Sequence, residues 1–380
     1  MPETLSPEMG LAFSPEQESL RESVRRFLEK QWSRKELRAT LEGSGEARNR
    51  LWRSMAGELG LQGIAIPEAY GGLGFGVMEQ AVVLEEMGRV LLATPYLASA
   101  VVAAQALLRG DSEPLRGRLL PGIASGEAVA TLALLEPGSD WRGAPAATLA
   151  HKDGGAWRVT GEKAFVVDGD QADCFIVSAK DAAGGNLLLA VARDDATVKV
   201  EPLPVIDATR PLARVRFLDA KAEVVAAEAR AREVLDRTLE VACVALACEQ
   251  MGGAAKSLET TNEYAKTRKQ FGAPIGSFQA IKFKLADMLL NLEAGRSAAY
   301  YAAAAIAAAR DDAPISASVA KAVCSDAYVA ITGEMIQVHG GIAYTWEHDA
   351  HLYFKRARAS LALFGDSDAH RERVAVLAGV

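Results

Sequence analysis

Aromatic side chains make up only 6% of this 380-residue sequence, and cysteine occurs four times. The four thiols, Cys174, Cys243, Cys248 and Cys324, include no C-x-x-C pair. A chain this long and this poor in cysteine is not a small disulfide-stapled scaffold, and a reduced, cytoplasmic protein is the simplest reading. Positive charge is not in excess either: 42 Lys and Arg against 49 Asp and Glu leave a net charge of −7. That argues against a general polyanion-binding surface, nucleic acid included, while leaving room for one local basic pocket. The N-terminus carries acids and prolines where a signal sequence has basic and then apolar residues. No G-x-S-x-G elbow, repeat or low-complexity tail is present.

What remains is the composition of an ordinary globular protein, 50% hydrophobic and 24% charged. The length suggests two or three domains. Residues 90–108 lack any charge over a length that could cross a bilayer. Thr94-Pro95, Ser99, Gln105 and the many alanines in that stretch instead predict two buried helical segments broken near Pro95, and no membrane span.

The first third reads helical. Ser14-Pro15-Glu16 supplies a cap and an N1 proline, a helix over 48–59 stops at Gly60, and 77–88 has helical spacing. The glycines of residues 71–76 lack the order and the preceding strand of a dinucleotide fingerprint. Residues 251–257 resemble the end of a P-loop without its first glycine, and they sit inside a helical pattern. From about Gly126 the texture changes to short β-type runs, at 129–135, 157–160, 164–167, 174–178, 187–191, 198–200 and 213–217. Many short strands with no helix between them predict an antiparallel sandwich or barrel. Beyond about Ala226 the chain is helical again, with one very long helix over 232–267 and another over 298–310. The division expected is therefore 1–125 helical, 126–225 β and 226–380 a helical bundle, an α+β architecture.

Two segments carry the strongest chemical signals. RKQFGAPIGSFQ, residues 268–279, is either an ordinary helix-ending loop or a sharp turn displaying a guanidinium that can fork onto phosphate oxygens. QVHGGIAYTWEHD, residues 337–349, is either a helix C-cap or a place where Gly340-Gly341 lets backbone approach a ligand. His348 and His351 beside Glu347 and Asp349 invite a metal reading, but nothing else in the chain matches it and no metal is expected.

Taken together, five segments resemble the acyl-CoA dehydrogenase family, in that family's order and over nearly the whole chain. They are ELGLQGIAIPEAYGGLGFG (58–76), LLEPGSD (134–140, a shortened T-E-P-G-x-G-S-D), GEKAFVVDGDQAD (161–173), the 268–279 segment and the 337–349 segment. The resemblance implies a helical N-terminal domain, a middle antiparallel β-barrel or sandwich and a C-terminal four-helix bundle, assembled as dimers of dimers. It also implies bound FAD, an acyl-CoA substrate and electron-transfer flavoprotein as electron acceptor. The flavin would sit between the β domain of one subunit and the C-terminal bundle of its neighbour, so that Arg268 and Gln279 would approach the FAD diphosphate of that neighbour, with Gln270 and Phe271 in the same turn. Gln337, Gly340 and Gly341 would line the adenosine part.

Departures from the family's pattern lie at the flavin ring and at the base. The threonine before E-P-G is Leu135, the stacking tryptophan is Phe165, and the next Thr or Ser is Val167. The usual catalytic glutamate position is Phe364, and the alternative, 26 positions before Arg268, is Ala242. Two readings follow. In one, the chain is an active dehydrogenase with a displaced base, for which Asp366, Glu249 and Glu240 are candidates. In the other, it is a catalytically incomplete partner that completes the FAD site of another chain, as in two-gene actinobacterial heterotetramers acting on steroid side-chain thioesters. The oligomer is accordingly homomeric or heteromeric.

Overall fold

A computed structural model describes residues 13–141 and 147–380; the reading of the extreme N-terminus falls largely on residues 1–12, outside the described residues. The chain divides into two compact units. One takes in the described residues up to Arg34, with Gly76–Leu92 and Cys243–Val380; the other takes in Lys35–Phe75 and the described part of Ala93–Ala242. Among the described residues no helix is long and apolar enough to cross a membrane.

Helices α1 (Pro15–Gln31), α2 (Arg34–Leu41), α3 (Gly45–Leu59) and α4 (Val77–Arg89) open the chain. The predicted start of α1 is a full capping box, with Ser14 Oγ accepting from the Gln17 amide and the Gln17 side chain accepting from the Ser14 amide. Helix α3 starts three residues before its predicted first residue and ends at Gly60 in the left-handed conformation. Two segments were expected across 90–108, but α4 ends at Arg89 and one helical run follows Pro95. Its first part, Leu97–Ala103, is π-helical and passes into α5 (Ala104–Arg109). Helix α6 (Glu113–Ala124) completes this part. The glycines of 71–76 serve a tight loop. The amides of Leu73, Gly74 and Phe75 donate to the carbonyls of Gly63, Ile66 and Ile64, and a Cβ on Gly72 would fall 1.9 Å from the Ile66 oxygen.

Seven strands follow: β1 (Ala130–Ala133), β2 (Leu149–Asp153), β3 (Ala156–Val167), β4 (Cys174–Lys180), β5 (Asn186–Ala192), β6 (Val198–Pro202) and β7 (Leu212–Ala227). Pairing runs β4–β2–β3–β7–β5 and back from β5 to β4, closing a ring, with β1 added at β4 and β6 at β7. The sheet is mixed, where a wholly antiparallel one was expected: β1 and β2 both pair with β4 in parallel. Parallel neighbours need a long connection, and the β2–β3 hairpin lies within the link from β1 to β4. Strand pattern in a sequence fixes position but not direction. The runs predicted at 157–160 and 164–167 are two halves of β3, interrupted by register shifts and by Phe165 at φ +51°. Strand β2, LAHKD, is almost wholly exposed and so lacks the alternation that would reveal it.

Helix α7 (Glu228–Thr267) is a single 40-residue element, as expected. A short hairpin, β8 (Lys269–Gln270) with β9 (Ala273–Pro274), leads into α8 (Gln279–Ala307), α9 (Ala313–His339), α10 (Ala350–Ala362) and α11 (Ser367–Ala378). Helix α8 begins well before the predicted 298. Its first half exposes Phe283, Leu289 and Leu290, so no single buried face is written there. The glycines of 251–257 are contact points between helices. A Cβ on Gly252 would fall 1.8 Å from the Glu85 oxygen, one on Gly88 1.9 Å from the Glu249 oxygen, and one on Gly253 2.3 Å from Tyr328 Oη. Helices α4 and α7 thus meet backbone to backbone, which only glycine permits.

Candidate active and cofactor site

Arg268 ends the last turn of α7, and the chain reverses at once. The Ile275 amide donates to the Arg268 carbonyl at 2.8 Å, and Gly272 takes φ +79°. Phe271, at φ +51°, is 95% exposed and meets Phe278 edge-on, with centroids 6.2 Å apart. Gln270 Nε2 donates to its neighbour's carbonyl. Arg268, Gln279 and Gln337 are exposed, and no side-chain hydrogen bond or ion pair engages them among the described residues. At the far end of α9, Gly340 takes φ +66° and ψ −143°.

An aromatic stack joins these two segments. The Tyr264 ring lies on His339 at 4.3 Å with an interplanar angle of 26°, and His339 meets His348 at 4.4 Å. Tyr264 Oη also donates to the His339 carbonyl at 3.4 Å. Burial lowers the pKa of both imidazoles, against the backbone hydrogen bond at His339 and Asp349 at His348, so the rings stack neutral. His339 Nδ1 lies 2.7 Å from the Met335 carbonyl, which can only accept, so the proton is on that nitrogen. His348 Nδ1 accepts from the Ala350 amide, and His351 meets Trp346 edge-on. Among the described residues no group of three or more His, Cys, Asp or Glu is placed to hold a metal ion. The ends of α7 and α9, which carry the two strongest sequence signals, are thereby held side by side.

The β unit carries the remaining predicted contacts. Leu135 and Val167 are buried, while Phe165 is half exposed at its left-handed φ. The Leu135 carbonyl accepts from the Ala164 amide at 2.8 Å and the Val167 carbonyl from Thr131 Oγ1 at 2.7 Å. Behind them, fully buried Lys163 donates to the Leu134 carbonyl, Glu136 Oε1 and Ser178 Oγ, each at 3.1 Å. Glu136 also accepts from the amides of Ala147 and Thr148. Burial pushes the Lys163 amine down to about 8 against the pull of Glu136. This pair ties together the two motifs that contain it, GEKAF and LLEPG. Its role was invisible in the sequence because the two residues are remote there.

The base candidates are all engaged. Phe364 is buried, with φ +62°, and its carbonyl faces His370 Nε2 at 3.1 Å. Ala242 is fully buried. Asp366 is the N-cap of α11, where one oxygen accepts from the Ala369 amide at 2.9 Å, and the residue is exposed. Buried Glu249 pairs with Arg356 Nη1 at 2.9 Å, while Nη2 of the same guanidinium donates to the Leu92 carbonyl. Glu240 pairs with Arg237 at 3.0 Å. Phe165, Phe271 and Phe364 all hold left-handed φ values that non-glycine residues avoid. Strain of this kind concentrates at functional sites; among the described residues it falls on these three and also on Leu91, Asp168, Asp219, Glu228 and Ala309.

An exposed, unpaired guanidinium, two unengaged amides and a glycine pair make a donor set suited to a nucleotide diphosphate. At Leu135, Phe165 and Val167 the β unit offers backbone and a ring face, but no polar side chain. A separate cleft of about 370 Å³, lined among others by Arg21, Arg25 and Arg296 and by Glu18, Glu85 and Glu293, is charge-balanced. Arg21 and Arg296 pair with Glu85, and Arg21 and Arg25 with Glu86.

Helices, a closed β ring and a helical bundle with this donor set define a flavoprotein dehydrogenase architecture, and the chain belongs to the acyl-CoA dehydrogenase family. The family's N-terminal domain model matches residues 14–127 and its C-terminal domain model residues 231–377. Acyl-CoA dehydrogenase IpdE2 of Mycolicibacterium smegmatis is 34% identical over 353 residues, covering 93% of this chain and 95% of that protein. Among solved structures, a variant of the Tcur3481-Tcur3483 steroid ACAD shares 31% identity at a TM-score of 0.86, covering 96% of this chain and 98% of its own. The ChsE4-ChsE5 complex from Mycobacterium tuberculosis shares 28% at 0.88, covering 98% and 99%.

Proposed function

We propose that this chain is a subunit of a cytoplasmic FAD-dependent acyl-CoA dehydrogenase that introduces an α,β double bond into an acyl-CoA thioester. The observation that supports the reading is the exposed, unengaged Arg268 four residues beyond Tyr264, whose ring stacks on His339 next to Gly340. Arg268 and Gln279, aided by Gln270 and Phe271, would hold the diphosphate of an FAD carried by a neighbouring subunit, and Gln337 with Gly340 and Gly341 its adenosine part. Leu135, Phe165 and Val167 would line the flavin ring of the FAD carried by the chain's own β unit. FAD, when bound, supplies the hydride acceptor for the substrate's β-carbon. A carboxylate of the chain must take the weakly acidic α-proton. Asp366 is the first candidate, because only one of its oxygens is used in capping α11. Glu249 and Glu240 would each have to leave an arginine. Excluding water from the site strengthens every hydrogen bond to the thioester oxygen as enolate charge develops there.

The boundaries near Gly126 and Ala226, a dimer of dimers and electron-transfer flavoprotein as the electron acceptor belong to the same proposal. A second reading makes the chain a catalytically incomplete partner of a homologous subunit. It is favoured by the engagement of all three candidate carboxylates. Steady-state turnover of acyl-CoA with an artificial electron acceptor separates the two. The first reading expects the purified chain to turn over alone. Activity that appears only on co-expression with a homologous chain establishes the second, and no activity in either preparation overturns both.

A further inference from the structure

Lys321 sits on α9 with no part of its side chain exposed to solvent. Its Nζ donates to the Gly365 carbonyl at 2.8 Å, and to the Leu361 carbonyl and Ser325 Oγ at 3.0 Å each. None of these partners is a carboxylate. The Leu361 carbonyl is among the last of α10, which a helix leaves without intrahelical partners, and a cation there also meets the helix dipole favourably. The Phe364 carbonyl lies 3.1 Å from His370 Nε2, which must carry the proton because a carbonyl only accepts. The carbonyls of residues 361, 364 and 365 are therefore all held by side chains of α9 and α11. Both clamps reach α7: His370 Nε2 lies 3.8 Å from Cys243 Sγ, and Ser325 Oγ accepts from Gln250 Nε2 at 3.0 Å.

A buried ammonium with no carboxylate partner is a poor way to stabilise a fold, since an apolar side chain of similar size at such a site is often no worse. What an apolar side chain cannot do is fix the direction of two carbonyls. The turn they fix is the one that buries the Phe364 ring and ends at the Asp366 carboxylate. We infer that Lys321, seconded by His370, is a positioning residue: it sets the conformation of residues 361–366 and so aims Asp366 for proton abstraction. The kinetic part of this inference rests on the function proposed above; the conformational part does not.

The test is Lys321→Met in the full-length protein, with flavin and any partner chain bound. Peptide-resolved amide hydrogen exchange is measured alongside kcat and KM for acyl-CoA. Exchange over residues 361–370 is expected to quicken about tenfold while α7 and α8 keep wild-type rates. Loss of aim is expected to lower kcat about 10- to 100-fold, with KM within about threefold of wild type. Unchanged exchange over 361–370, or quickening spread evenly over the bundle, overturns the clamp. Local quickening with kcat intact overturns its catalytic part. If wild-type protein shows no turnover, the proposed function fails, and exchange alone decides the clamp. Should Lys321→Met not be recovered folded, Ser325→Ala keeps the charge and removes one acceptor. The same local quickening at smaller amplitude then supports the clamp, and wild-type exchange overturns it.

Discussion

Asp366 and Glu249 make opposite demands on a substitution. Asparagine caps a helix about as well as aspartate, so Asp366→Asn leaves the α11 cap in place while removing the base. The variant is expected to keep wild-type melting behaviour and to lose at least about 100-fold in kcat; full activity eliminates Asp366. Glu249→Gln instead strands the buried Arg356 guanidinium, 3% exposed at the side chain. We expect it to unfold about 3 kcal/mol more easily, measured by urea denaturation, whatever its effect on turnover. At this scale the sequence was legible where chemistry is local. Arg268, Phe271 and Gln279 lie within twelve residues, and their turn chemistry is written there. Lys321 and Arg356 were not legible, because each acts on backbone or a carboxylate far away in the chain. A single lysine in an alanine-rich helix reads as a solvated residue until its neighbours are known.

Among the elements, the long helix α7 and most strands follow from period and turn residues, and their existence was foreseeable. The parallel pairing of β1 and β2 with β4 was not, because alternation says which face a residue takes and nothing about the partner's direction. The glycines of α7 show the converse case. As a motif they resemble a phosphate loop, yet their role is the close crossing of α4 and α7. Gly252→Ala would drive a methyl to 1.8 Å from the Glu85 carbonyl oxygen, with backbone on both sides and nothing flexible to yield. We expect a loss of at least about 2 kcal/mol, seen as a lower thermal midpoint. A wild-type midpoint would mean that the two helices do not cross this closely.

For the whole molecule, two amines buried in separate units, Lys163 and Lys321, link stability to pH. Burial holds both near 8, against 10.5 for a solvated lysine. Below about pH 8 the folded and unfolded chains both carry these protons, and the folded state bears the cost of the buried charge. Between about pH 8 and 10.5 the folded amines release theirs first, and that cost lifts. The stability of wild type relative to Lys321→Met is therefore expected to rise by up to about 3 kcal/mol between pH 7 and 10, measured by urea unfolding at both values. A gap that stays constant or closes contradicts the assignment of a cationic Lys321 at neutral pH.

On the proposed function, Arg268 and Gln279 would meet the FAD diphosphate, while the positions expected to bring polar contacts to the flavin ring are Leu135, Phe165 and Val167. The most direct test of that function is the visible flavin band of the wild-type holoprotein and of Arg268→Ala, recorded before and after anaerobic addition of acyl-CoA. Wild type should carry flavin that acyl-CoA bleaches, and Arg268→Ala should lose most of its flavin. A wild-type preparation without flavin, or an Arg268→Ala protein that holds and bleaches flavin as wild type does, would contradict the account.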